Sequence, residues 1–176
     1  MDVFEAIKNR KSVRAYSPKP VPNELLLKIA EAAQLAPSAS NIQPWQFIFV
    51  TDKDKRNKLS EGRYAGFLAE SPVVVVGCGD QKVSPRWYMV DVTIALEHIV
   101  LAATSERFGT CWVGSFEQDK VKKLLKIPED YMVVALLALG YPREQLDQTR
   151  KLVHLLHERK KLDQIVSYDE FGKHLG

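Results

Sequence analysis

The stretch DVTIALEHIVLAATSERFGTCWVG, residues 91–114, decides the fold class. From Val90 to Ala103 it is apolar on almost every side of a 3.6-residue period. Such a helix is buried on most of its surface, in a core or against a partner chain. Upstream, Ser84 suits an N-cap and Pro85 the first helical position. The helix is expected to run to about Phe108, with Gly109 as its stop. Thr110 to Val113 then reads as a strand.

Working outward, Pro72–Cys78 and Met132–Leu139 are short, continuous apolar runs bounded by Pro or Gly, the pattern of strands buried on both faces. Trp45–Thr51 reads as a further strand, with Trp45, Phe47 and Phe49 on one face. Helices are predicted over Val3–Asn9, where Asp2 and Glu5 form a capping box, and over about Pro22–Leu35. Further helices are predicted over Asp52–Glu61 and Gln118–Leu125. Neither GxGxxG after a strand nor GxxxxGK[ST] occurs. An α+β layered domain is therefore favoured over a doubly wound nucleotide-binding sheet.

The chain has 176 residues and a mass of 20.0 kDa, which suits a single domain, 1–176. Its charge, 25 basic against 22 acidic side chains, leaves +3, too little to demand nucleic acid. The longest apolar run, Tyr131–Gly140, falls short of the roughly 20 residues that cross a membrane. The N-terminus lacks the pattern of a secretory signal. Cys78 and Cys111 cannot make a disulfide framework, so a reduced, cytoplasmic protein is expected. From Arg143 onward the chain is charged and has no apolar period until Leu162, Ile165 and Val166. A tail of that kind must lie on something.

Familiar catalytic groupings are missing. GxSxG and HExxH do not occur, and His154 and His157 lack the acids or cysteines that would complete a metal site, so none is expected. His98 reads as a hydrogen-bonded core histidine, and Cys111 as a buried thiol. Asp91 and Glu97 are acids in an apolar helix, read as caps or inter-helix partners. Anion recognition is better supported. In an extended Arg10-Lys11-Ser12-Val13-Arg14, residues 10, 12 and 14 share one face. Two guanidinium forks and a hydroxyl there can grip a phosphate. Pro37-Ser38-Ala39-Ser40-Asn41-Ile42-Gln43-Pro44 packs many donors and acceptors between prolines, and Arg159-Lys160-Lys161 is a second basic cluster.

Five segments in order, RKSVRAY, APSASNIQPWQF, the quoted helix with its continuation, LALGYPRE and ERKKLDQIV, resemble the nitroreductase family of FMN-dependent oxidoreductases. The resemblance runs from about residue 4 to 166. It implies an α+β fold with a central, mostly antiparallel sheet flanked by helices. It also implies an intertwined homodimer, with residues 145–176 embracing the partner subunit and FMN at the interface. Within that resemblance Arg10, Lys11 and Ser12 match the phosphate side of the site, and Arg14 the pyrimidine edge of the flavin. Pro37, Ser38, Ala39 and Asn41 match contacts supplied from the other subunit. Trp112, Val113 and Gly114 match the segment against the ring, and Arg159 with Lys160 the C-terminal phosphate contacts. Two departures stand out. Lys161 replaces a proline frequent after the basic pair, and Gly62–Gly66 carries Arg63 and Tyr64 where members often place an amide.

The activity so implied is ping-pong transfer from NADH or NADPH, through flavin N5, to a small acceptor such as a nitroaromatic or quinone. No catalytic side chain is required, Arg14 acting electrostatically. One alternative is a flavin-dependent reductive dehalogenase-like enzyme, although the insertions of such relatives are not seen. The other is a basic dimer that binds nucleic acid or an anionic ligand without catalysis. Poor aromatic interleaving at the basic clusters counts against nucleic acid, and no membrane association is expected.

Overall fold

The computed structural model describes residues 1–143 and 159–174. Four strands make one sheet: β1 (Trp45–Val50), β2 (Val73–Asp80), β3 (Gly109–Val113) and β4 (Tyr131–Gly140). Their order is β1-β2-β4-β3 and every pairing is antiparallel. Among the described residues, five α-helices flank it: α1 (Val3–Asn9), α2 (Asn23–Gln34), α3 (Lys53–Leu59), α4 (Tyr88–Ser105) and α5 (Gln118–Leu125). This is the α+β architecture expected from the apolar runs.

The two central strands are buried on both faces, which is why they read as unbroken apolar runs rather than alternating ones. On one face Val73 and Val75 of β2, with Ala135, Leu137 and Leu139 of β4, meet Ile29 and Ala33 of α2 and Val92, Leu96 and Ile99 of α4. On the other, Val74, Val76 and Cys78 pack with Val133, Leu136 and Ala138 beneath Leu59, Leu68 and Val121. Gly77 lets α4 lie close, since a Cβ there would stand 2.7 Å from Leu96 Cδ1. His98 hydrogen bonds through Nδ1 with the Ala32 carbonyl at 3.1 Å, tying α4 to α2 as the reading of a core histidine anticipated.

The capping box of α1 is present, with the Glu5 amide donating to Asp2 Oδ1 and the Asp2 amide to Glu5 Oε2. Helix α4 differs from expectation at both ends. It begins at Tyr88, not at Pro85, and Ser84 caps nothing: its hydroxyl is buried without a partner among the described residues. Its C-terminus is closed by Arg107, which takes the left-handed conformation at φ 65°. The Phe108 amide then reaches the Ala103 carbonyl and the Arg107 amide that of Thr104, a Schellman closure with arginine in the usual glycine position. Gly109 is instead the first residue of β3, where it is needed for a different reason described below. By length and composition α4 is also apolar enough to cross a membrane, contrary to the sequence expectation, but its apolar side forms the core against β2 and β4.

The chain divides into two compact units, Met1–Gln145 and Leu146–Gly176. In the second, Leu162–Gln164 forms one 3₁₀ turn, the Lys161 amide donates to Gln164 Oε1, and His174 Nδ1 meets the Val166 carbonyl. Its described residues, 159–174, are exposed throughout. His154 and His157 lie outside the described residues.

Candidate functional site

The basic segment after α1 is a pinned strap. Arg10 caps α1 and turns the chain into an extended course. The Val13 amide donates to the Thr110 carbonyl at 2.9 Å, and Ser12 bridges Thr110 beside β3. Further on, the Ser17 amide donates to Tyr141 and the Arg143 amide to Ala15, so the strap is also sewn to the end of β4. Tyr16, 2% exposed, donates its hydroxyl to the Val13 carbonyl at 2.6 Å. Burial pushes the Tyr16 phenol well above the usual tyrosine range, with a smaller push from Cys111, so it stays protonated as that donor. Val13 enters the core while Ser12 and Arg14 are half-buried. The Arg14 guanidinium stands over the Phe67 ring, 6.0 Å from its centroid.

Gly109 makes this docking possible. A Cβ built on it would stand 2.7 Å from Val13 Cγ2 and 2.8 Å from Val13 Cβ. The strap therefore lies on bare backbone at the start of β3. The same strand ends in Trp112 and Val113, and a Cβ on Gly114, the next residue, would meet nothing within 4 Å. Backbone at the end of β3 is thus open to a flat ligand.

Half-buried Glu97 of α4 faces the same region. Burial raises its carboxyl above the usual range, opposed by the Arg10 charge, by a hydrogen bond from the Trp112 side chain, and by His98. Arg10 and Trp112, 102 residues apart in sequence, thus share one acid on α4. Sequence reading noted Glu97 but not this link, because nothing in the local pattern reveals which strand α4 faces.

The Pro-bounded loop has a fixed form. Ser40, Asn41 and Gln43 all take positive φ, at 50°, 54° and 54°. The Asn41 amide donates to the Ser38 carbonyl and the Gln43 amide to Ser38 Oγ at 2.9 Å. The Ala39 amide donates to Asp91 Oδ1 of α4 at 3.1 Å. Ala39 opens a 3₁₀ turn, Ala39–Asn41, so Asp91 is an inter-helix partner, as expected, and the turn it holds belongs to the Pro-bounded loop. Pro37 and Asn41 are exposed, and Ser38 and Ala39 half-buried.

Of the expected site residues, the Arg10–Arg14 strap is joined to Thr110 of β3, the strand that carries Trp112 and Val113, and Arg10 and Trp112 both act on Glu97. Arg159 and Lys160 are exposed in the second unit. Among the described residues, one cavity of about 370 Å³ lies between α3 and α5 and another of about 650 Å³ by Pro18, Arg56 and Arg143, and no expected site residue lines either. Burial also pushes the Cys78 thiol up to about 11, so it stays protonated at neutral pH. Among the described residues no cluster of His, Cys, Asp and Glu could hold a metal.

The donor set suits FMN. Arg10 and the Ser12 hydroxyl on one pinned strap suit a phosphate, the Arg14 cation suits the polar edge of a flavin, and open backbone at Gly114 suits a planar ring.

Comparison with known proteins agrees. The Nitroreductase family model matches residues 7–62 and 60–141. A protein of Methanothermobacter thermautotrophicus named "Putative NADH dehydrogenase/NAD(P)H nitroreductase" is 38% identical over 151 residues, 82% of this chain and 79% of that protein. The crystal structure of a nitroreductase family protein from Clostridium novyi NT is 33% identical, covers 98% of this chain and 96% of its own, and superposes with a TM-score of 0.77. An FMN-dependent nitroreductase from Clostridium difficile is 28% identical, with coverage of 96% and 99% and a TM-score of 0.80. With the family model spanning most of the chain and the same fold in these structures, the chain belongs to the nitroreductase family.

Proposed function

We propose that this chain is an FMN-dependent oxidoreductase that draws on NADH or NADPH and passes electrons to a small flat acceptor such as a nitroaromatic or quinone, working as a homodimer. The observation that carries the proposal is the strap: Arg10, Ser12 and Arg14, held against bare backbone at Gly109, beside the open end of β3. FMN, when bound, would supply the chemistry by accepting a hydride at N5 and releasing two electrons to the acceptor.

The chain's own residues bind, orient and stabilise. Arg10, Lys11 and Ser12 would hold the phosphate. Arg14 would present a fixed cation to the pyrimidine edge, where negative charge accumulates on reduction; preorganised charge of this kind costs no rearrangement at the moment of reaction. Phe67 under the guanidinium helps keep it oriented. Trp112, Val113 and Gly114 would lie along the ring, with a backbone N–H turned to it. Pro37, Ser38, Ala39 and Asn41 would complete the site of the partner copy. Neither a nucleophile nor a metal is needed. The names of the relatives, which join NADH dehydrogenase, NAD(P)H nitroreductase and FMN-dependent nitroreductase, support the reading.

The test is direct. The purified protein should be yellow, release FMN on denaturation, and bleach anaerobically on addition of NADH or NADPH. Colourless protein that also ignores added FMN would refute the proposal.

A further inference from the structure

Asp91 has no part in the reading above, yet its setting is unusual. It lies in the first turn of α4, 3% exposed. Its Oδ1 accepts the Ala39 amide at 3.1 Å, and its Oδ2 is buried with no hydrogen-bond partner among the described residues. A buried carboxylate is costly unless paired, and one backbone N–H is a meagre partner. Proximity to a helix N-terminus favours the charge, but that needs no contact with a loop 52 residues away.

The loop supplies the reason. Three of its four residues from Ser40 to Gln43 hold positive φ without being glycine. Such conformations persist only where the surroundings over-determine them. The loop's other hydrogen bonds, from Asn41 to Ser38, Ile42 to Ala39, Gln43 to Ser38 and Gln43 to Asn41, are internal. Among the described residues, the Ala39–Asp91 bond is the one that ties 38–43 to the body of the fold.

We propose that Asp91 is a positioning residue: from α4 it fixes the Pro37–Gln43 loop, through the Ala39 amide, in the one form that can grip the flavin. The inference rests on the flavin reading of the loop. It assigns the buried carboxylate to ligand affinity rather than to stability.

FMN titration of the apoprotein by flavin fluorescence tests it, on wild type, Asp91→Ala and Asp91→Asn, with the thermal midpoint of each apoprotein read alongside. Asp91→Ala removes the acceptor and should weaken FMN about tenfold or more. Asp91→Asn keeps an acceptor oxygen at the same position and should stay within about threefold of wild type. Wild-type affinity in Asp91→Ala overturns the inference. So does Asp91→Asn losing as much affinity as Asp91→Ala, because then the charge, and not the acceptor, is what matters. Wild type that fails to bind FMN sinks the flavin reading and this inference with it, a result distinct from either. If Asp91→Ala does not fold, amide exchange in the wild type decides: Ala39 should be protected relative to Ser40, and equal exchange overturns the anchoring.

Discussion

At the scale of single residues, charge and burial give opposite assignments to groups that look equally reactive in sequence. Arg14 lies on the strap with its guanidinium over Phe67, and its proposed role is electrostatic. Arg14→Ala should therefore still bind FMN, while its two-electron potential falls by roughly 30 mV for each 1.4 kcal/mol of lost stabilisation. Arg14→Lys should recover most of the shift. Potentials measured by equilibration with a reference dye check this, and an unchanged potential in Arg14→Ala removes the role. Cys78 is the contrary case. Desolvation holds its thiol near 11, above the value of about 9 for an exposed thiol. Below pH 9 both folded and unfolded chains keep the proton and the shift has no effect on stability. Between pH 9 and 11 the unfolded chain loses the proton first, so stability falls as pH rises, by up to roughly 2–3 kcal/mol. Urea midpoints at pH 8 and 10.5 should show the fall, and Cys78→Ala should show less of it. Tyr16, also raised, adds in the same direction at higher pH.

At the scale of elements, the strap and β3 act as one device. Val13 sits where a Cβ of residue 109 would be, so Gly109→Ala must push the strap off the sheet. The expected cost is about 1–3 kcal/mol of stability, with weaker FMN binding because Ser12 and Arg14 move with Val13. Gly66→Ala, whose added Cβ meets nothing, is the control and should leave both within error. Denaturant unfolding together with FMN titration reads the two effects, and wild-type FMN affinity in Gly109→Ala would show that the strap does not place the binding residues. Elements were legible in the sequence wherever their signal was local. The α1 capping box, the α5 span and the doubly buried strands follow from composition and period alone. The start of α4 did not, because Ser84-Pro85 imitates a helix start while belonging to the turn before Tyr88. Its end was misplaced for a related reason: Arg107 pays the left-handed strain and frees Gly109 for the strap. In the site, the basic segment was readable because its charges are adjacent in sequence, but where Arg10 and Arg14 lie, by Glu97 of α4 and over Phe67, was not. The link from Asp91 to Ala39, and that from Glu97 to Trp112, were not, since both depend on which segments α4 meets in three dimensions.

At the scale of the whole molecule, one copy leaves much apolar surface without a partner. Phe4 of α1, Leu27 of α2 and Met89 of α4 are 70%, 71% and 56% exposed, and Ile7, Trp87 and Val90 are exposed beside them in sequence. Helices α1 and α2 each pack on α4, so these side chains lie on helices of one layer. Leu101 of α4 is half-buried as well. Contiguous apolar surface of this kind marks an interface, and the proposed homodimer supplies one. The proposal also makes FMN binding depend on association, because the strap and the Pro37–Asn41 loop would serve the same ligand from different copies. Sedimentation equilibrium should then give twice the chain mass of 20.0 kDa. Met89→Glu, which places a charge on exposed surface and disturbs no described hydrogen bond of its side chain, should shift the protein toward monomer. Its far-ultraviolet circular dichroism should remain that of the wild type, and its FMN affinity should fall in step with dissociation, recovering at high protein concentration. A folded monomer that holds one FMN per chain would break the link between assembly and binding, and would move the site wholly within one copy.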